Sequence, residues 1–102
     1  MRPPKEMSAV IGGLRYSVDK ATLIASDAYW DGHNWERKGR NSFLYRTPKG
    51  RYFVICLTQW QGEKDTLTPV EQDEALNMWE GALSEHEVEF DEAFPDAKIE
   101  EA

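Results

Sequence analysis

Two apolar runs joined by Pro48-Lys49-Gly50 constrain this chain more than any other feature. Phe43–Thr47 and Arg51–Trp60 are rich in aromatic and β-branched residues, and Pro followed by Gly supplies a hairpin turn between them. In the second run Phe53, Ile55 and Leu57 fall on one face, while Tyr52, Val54 and Cys56 fall on the other. Both faces are apolar, so this strand must be covered on both sides. The same alternation places Cys56 in buried packing.

The flanking segments supply candidate covers. Residues 1–11, with Pro3-Pro4 and no periodicity, read as a mobile N-terminal tail. Leu14, Tyr16 and Val18 alternate with polar neighbours and predict a short strand from Gly12 to Val18. Ser17 or Asp19 then caps a predicted helix to about Ser26, with Leu23 and Ile24 turned inward. Residues 28–41 read as two short strand pieces or a loop, and Gln61–Leu67 as a polar loop. Thr68-Pro69-Val70-Glu71 matches a capping box with Pro at the first helical position. In the helix that follows, Ala75, Leu76, Trp79, Ala82 and Leu83 form one apolar face, opposite Asp73, Asn77 and Glu80. Ser84-Glu85-His86-Glu87 repeats the box and predicts a short acidic helix from Glu85 to Phe94, ended by Pro95.

At 102 residues the chain fits one domain, residues 12–95, with a frayed acidic C-terminus over 96–102. The predicted fold class is α+β. A small antiparallel sheet of three to four strands is centred on Arg51–Gln59, with the Thr68 helix on one face. The Ser17–Ser26 helix covers an edge or the other face.

Several kinds of chemistry are poorly served by this sequence. One cysteine allows no internal disulfide, and the spacing of His33, His86 and Cys56 matches no zinc pattern. No phosphate-binding glycine loop and no nucleophile elbow occurs. Carboxylates are so dense in the last third that any acid–base spacing can be found, which assigns no catalytic role. The reading is therefore a non-enzymatic protein with no cofactor and no metal. No apolar run reaches the length of a membrane span and no signal-peptide core is visible, so the expected location is cytoplasmic.

Charge is the remaining signal. The net charge of −7 divides unevenly along the chain. Residues 1–62 hold ten Lys/Arg and five Asp/Glu, whereas residues 63–102 hold two Lys and fourteen acids. Such asymmetry points to an electrostatic partner, with simple solubilising charge as the bland alternative. The candidate partner-binding carboxylates are Glu71, Asp73, Glu74, Glu80, Glu85, Glu87, Glu89, Asp91 and Glu92, an acidic helical face suited to a basic protein surface. Trp35 beside a turn and Trp60 ahead of a polar loop stand where tryptophan serves as an interface anchor, with core packing as the competing reading.

The order of these elements also resembles a known pattern. Leu14-Arg15-Tyr16-Ser17, Ala21 to Ala25, Leu44-Tyr45-Arg46-Thr47-Pro48-Lys49-Gly50 and Leu67-Thr68-Pro69 ahead of the Trp79 helix are similar to small accessory proteins of phages and plasmids. These carry a strand, a short helix, a leucine-tyrosine-x-threonine-x-x-glycine hairpin and a capped helix with a tryptophan. The likeness spans roughly Leu14 to Phe94 and contains no catalytic residue. It implies an anti-CRISPR-like inhibitor, acting in the host bacterial cytoplasm by covering a basic nucleic-acid-binding surface of a Cas effector. Two alternatives stand beside it. One is a nucleic-acid-binding or regulatory module using the basic hairpin 37–51, where Arg37, Lys38, Arg40, Arg46, Lys49 and Arg51 interleave with Trp35, Phe43, Tyr45 and Tyr52. The other is a homodimer that pairs faces of opposite sign.

Overall fold

A computed structural model describes residues 3–27, 40–58 and 62–97. The elements in chain order are β1 (Ser8–Ile11), β2 (Leu14–Ser17), a 3-10 turn (Val18–Lys20), β3 (Thr22–Ser26), β4 (Arg40–Arg46), β5 (Tyr52–Thr58), β6 (Thr66–Val70), α1 (Gln72–Glu80), β7 (Glu85–His86) and α2 (Phe90–Ala93). Among the described residues the strands form two sheets. One is the β1–β2 pair, and the other is antiparallel with five strands in the order β6-β5-β4-β3-β7. The class is α+β, as expected, with a larger sheet than the sequence suggested.

The hairpin at the centre forms as read. Arg46 pairs with Tyr52 and the register runs unbroken to Arg40 opposite Thr58. Gly50 closes the turn at φ +85°, a conformation that favours glycine, and its N–H donates to the Thr47 carbonyl at 2.9 Å. β5 is buried on both faces. Phe53, Ile55 and Leu57 join Tyr16, Val18, Phe43 and Tyr45 in one core. Tyr52 and Val54 join Ile24, Ala25, Leu44, Ala75, Trp79, Leu83, Ala93 and Phe94 in the other. Cys56 departs from the pattern. It is exposed, with its sulfur 3.6 Å from the Ser42 hydroxyl, because it sits near the end of β5 beyond the helix-side core.

The first core is covered by strand, not helix. Residues 8–11, assigned to the tail from sequence, pair with β2, and the Val18 N–H donates to the Met7 carbonyl at 3.1 Å. The predicted Ser17–Ser26 helix is instead the 3-10 turn followed by β3. A bulge explains the misreading. Leu23 opposes Tyr45 and Ala25 opposes Leu44, so Ile24 is the extra residue. Ile24 and Ala25 therefore both enter the helix-side core while Leu23 packs on the other. The expected inward pair, Leu23 and Ile24, is thus split between the two cores, and the adjacent residues that share a face are Ile24 and Ala25.

The second core is closed by α1 and α2. The helix begins later than the Thr68 box implied. Thr66–Val70 is an edge strand in which Pro69 lies opposite Phe53, and an edge tolerates a residue that cannot donate on its outer side. Leu67, expected in a loop, belongs to this strand too. Glu71 caps the helix instead, with its N–H donating to Glu74 Oε1 at 3.4 Å, which is the same box grammar three residues on. Ala75, Trp79 and Leu83 are buried and Leu76 is half-buried, whereas Ala82 is exposed because the helix has ended at Glu80. The expected Glu85–Phe94 helix is reduced to Phe90–Ala93. Glu85 and His86 form β7 against Ser26 and Ala25 of β3. Residues 28–39, and with them Trp35, lie outside the described residues, as do Trp60 and residues 98–102. Within the expected frayed end, the Ala97 N–H donates to the Phe94 carbonyl at 3.2 Å.

Phe53 joins the two hairpins of the first core. It is fully buried, stacks on Tyr45 at 5.2 Å and meets the edge of Tyr16 at 5.7 Å. Phe53→Ala is expected to destabilise the fold by ~3–5 kcal/mol, a large part of the ~5–15 kcal/mol that holds a domain of this size, read as a lowered urea midpoint. The exposed Cys56 thiol is expected to react fully with Ellman's reagent in the folded protein. A thiol that reacted only after denaturation would contradict its placement.

Candidate functional site

The acidic surface is built by the segment that follows β6. From Asp65 to Ala97 the sequence contains no Lys or Arg. All nine candidate carboxylates are exposed, but they do not share one helical face. Glu71 caps α1, and Asp73, Glu74 and Glu80 lie on it. Glu85 is on β7, Glu87 follows it, Glu89 caps α2, and Asp91 and Glu92 lie in its first turn. The tertiary fold thus divides them into two groups.

Glu87, Glu89 and Glu92 line one open groove of about 530 Å³, floored by Trp79, His86, Val88 and Phe90. Glu71 and Glu74 line a different concavity with Tyr16, Arg51 and Tyr52, so their field is partly offset by a guanidinium. No Lys or Arg among the described residues lines the groove of Glu87, Glu89 and Glu92. Among the described residues no three His, Cys, Asp or Glu side chains converge to hold a metal ion. The carboxylates form a spread array, suited to several basic side chains.

A small set of contacts positions this array. The His86 ring lies parallel to the Trp79 indole with centroids 3.6 Å apart. A carbonyl only accepts, so His86 Nε2 carries the proton and donates to the Trp79 oxygen at 2.9 Å. That bond occupies one of the terminal carbonyls that α1 leaves without a helical partner. It also anchors β7 to the end of α1, while the Glu87 N–H donates to the Ile24 carbonyl at 3.0 Å. Phe90 and Phe94 meet Trp79 edge-on at 6.0 and 5.7 Å, which fixes α2 over the same indole. Trp79 therefore organises the groove. Sequence periodicity identified it as core but gave no sign that its surroundings carry the carboxylates.

Tyr52 locks α2 from below. Its hydroxyl donates to the Ala93 carbonyl at 2.7 Å, and its ring stacks on Phe94 at 5.2 Å. Burial raises its pKa above the usual 10.0, an effect that nearby Arg46 opposes and Asp96 reinforces.

The basic hairpin takes a different form from the sequence reading. Phe43, Tyr45 and Tyr52 are buried in the two cores and present no stacking faces for bases. Arg46 lies over the hairpin turn, with Nη2 3.3 Å from where a Cβ on Gly50 would stand. Lys49 and Arg51 are exposed, while Arg37 and Lys38 lie outside the described residues. Comparison with protein-family models, curated proteins and solved structures returned no match. Among the described residues no helix is long and apolar enough to cross a membrane.

Tyr52→Phe removes one buried hydrogen bond and is expected to cost about 1 kcal/mol near neutral pH. The raised pKa sets the sign with alkali. The protonated phenol's contribution is complete below pH 10.0 and is lost as the pH climbs through the higher folded-state value. Urea denaturation of both proteins should show their difference shrinking above pH 10.0. A constant difference would contradict the assignment.

Proposed function

We propose that this protein is a non-enzymatic, anti-CRISPR-like inhibitor from a mobile genetic element. Its target is a basic, nucleic-acid-binding surface of a Cas effector in the host bacterial cytoplasm. The observation that carries this reading is the groove in which Glu87, Glu89 and Glu92 surround Trp79 and Phe90, in a segment without a Lys or Arg from Asp65 to Ala97. Such a groove suits the side chains that line a nucleic-acid channel. Lysine and arginine lay their apolar stems on an aromatic floor and bring their charged ends to the carboxylate rim. Glu85 and Asp91, exposed next to the groove residues in the chain, extend the field that steers encounter. Glu71, Asp73, Glu74 and Glu80 form a secondary acidic edge along α1.

The frame supports inhibition without catalysis. Carboxylates held by β7, α2 and the end of α1 reach a partner already arranged, so little ordering cost offsets the ion pairs formed. A Cas effector blocked in this way loses access to its own polyanionic ligand. The competing reading, a nucleic-acid-binding module built on the basic hairpin, is favoured less, because Phe43, Tyr45 and Tyr52 are committed to the cores.

Simultaneous Glu85→Lys, Glu87→Lys and Asp91→Lys reverses the field at the groove. Binding to a purified, nuclease-treated Cas effector, measured calorimetrically against the unaltered chain, is expected to weaken by about a hundredfold or more. Unchanged affinity in a variant with native circular dichroism would overturn the proposal.

A further inference from the structure

A third concavity lies between β2 and the β4–β5 turn, and its charge is opposite to that of the Trp79 groove. Arg15 and Ser17 of β2, Lys20 of the 3-10 turn, and Thr47, Lys49 and Arg51 of the hairpin turn line a pocket of about 330 Å³. That volume falls in the range of about 300–1,000 Å³ found for small-ligand clefts. All four cations are exposed, and among the described residues none has its side chain in a hydrogen bond or ion pair. The carboxylates nearby stand outside the pocket. Asp19 precedes Lys20 on the 3-10 turn, and Glu71 and Glu74 lie across Arg51 in the neighbouring concavity. Four like charges are thus brought to one hollow from three separate elements.

The walls are fixed by backbone hydrogen bonds. Thr47 and Arg51 are tied by an N–H to carbonyl bond of 2.8 Å, and the Arg51 N–H also donates to Thr47 Oγ1 at 3.1 Å. On the other side, the Val18 N–H reaches the Met7 carbonyl and the Ala21 N–H reaches the Val18 carbonyl at 3.2 Å. Tyr16, buried against Phe53, forms part of the base. The Ser17 hydroxyl and the remaining proton of Thr47 add neutral donors to a set of guanidinium and ammonium groups. A compact oxyanion with several oxygens satisfies such a set better than a single carboxylate, and it relieves the repulsion among the cations.

We infer that this pocket binds a phosphate group, carried by a free phosphorylated small molecule or by a nucleic-acid backbone. Recognition is electrostatic and needs no base stacking, consistent with the burial of the hairpin aromatics. The site is independent of the acidic groove and of the function proposed for it.

The test is a titration of the full chain, labelled with ¹⁵N, at low ionic strength with pyrophosphate and separately with a short single-stranded oligothymidylate. Saturable shifts confined to β2, the 3-10 turn and the β4–β5 turn are expected for at least one probe. Saturation by pyrophosphate assigns a free phosphorylated ligand, and saturation by the oligonucleotide alone assigns a nucleic-acid backbone. Lys49→Gln with Arg51→Gln should weaken binding by about tenfold or more, as should Lys20→Gln with Arg15→Gln, whereas Lys64→Gln should leave it unchanged. Failure of both probes to saturate would overturn the inference. So would equal weakening by Lys64→Gln, or a shift pattern produced by self-association of the chain in place of added phosphate.

Discussion

Burial of β5 on both faces is the constraint from which the rest of the fold follows. A strand with Phe53 and Ile55 on one side and Tyr52 and Val54 on the other has no face to give to water. Two separate covers are needed, and the two ends of the chain supply them. The N-terminal residues form the β1–β2 pair, with Met7 packed against the first core. The C-terminal residues form α1 and α2 over the second, where Trp79 and Phe94 fill the space above Tyr52 and Leu44. Neither cover is large. Each is held mainly by the apolar area that it hides on the sheet, since the helices are too short to be stable alone.

The edges of the sheet decide where charge is displayed. β6 ends the sheet on one side and carries Pro69, which limits further pairing there. On the other side β3 would present an open edge, and Glu85 and His86 cover part of it. That short pairing pulls the acidic segment into extended conformation and turns α2 back over Trp79. The carboxylates consequently rim a groove, where a continuous helix would have spread them along a stripe. The stacked His86 ring and its bond to the Trp79 carbonyl are the joint that holds this geometry.

Opposite charges are separated on a small body. The segment from Asp65 to Ala97 carries no Lys or Arg, while Arg15, Lys20, Lys49 and Arg51 meet in one hollow. Among the described residues, the acidic groove is lined by no Lys or Arg and the basic pocket by no Asp or Glu. A protein so built presents two electrostatic surfaces of opposite sign. The acidic groove and the basic pocket can be disabled separately by substitutions that touch neither core.

What was legible in the sequence is what depends on near neighbours. The β4–β5 hairpin, the two faces of β5, the inward residues Ala75, Trp79 and Leu83 and the charge asymmetry all follow from alternation, helical spacing or composition. Segments whose conformation rests on a distant partner are not legible in this way. In Thr22–Ser26 the adjacent apolar residues Leu23 and Ile24 suggest a helix face, but the bulge against β4 sends them to opposite cores and puts Ala25 beside Ile24. Thr68-Pro69 had the composition of a helix start, yet hydrogen bonding to β5 holds it extended and moves the cap to Glu71. Cys56 obeyed the alternation of its strand but lies past the reach of the helix that would have covered it. The sequence alone therefore determined the doubly buried hairpin and the sign of each half of the chain. Only the tertiary structure decided which carboxylates share a groove and which cations share a pocket, because strand pairing and layer packing join residues that no local pattern relates.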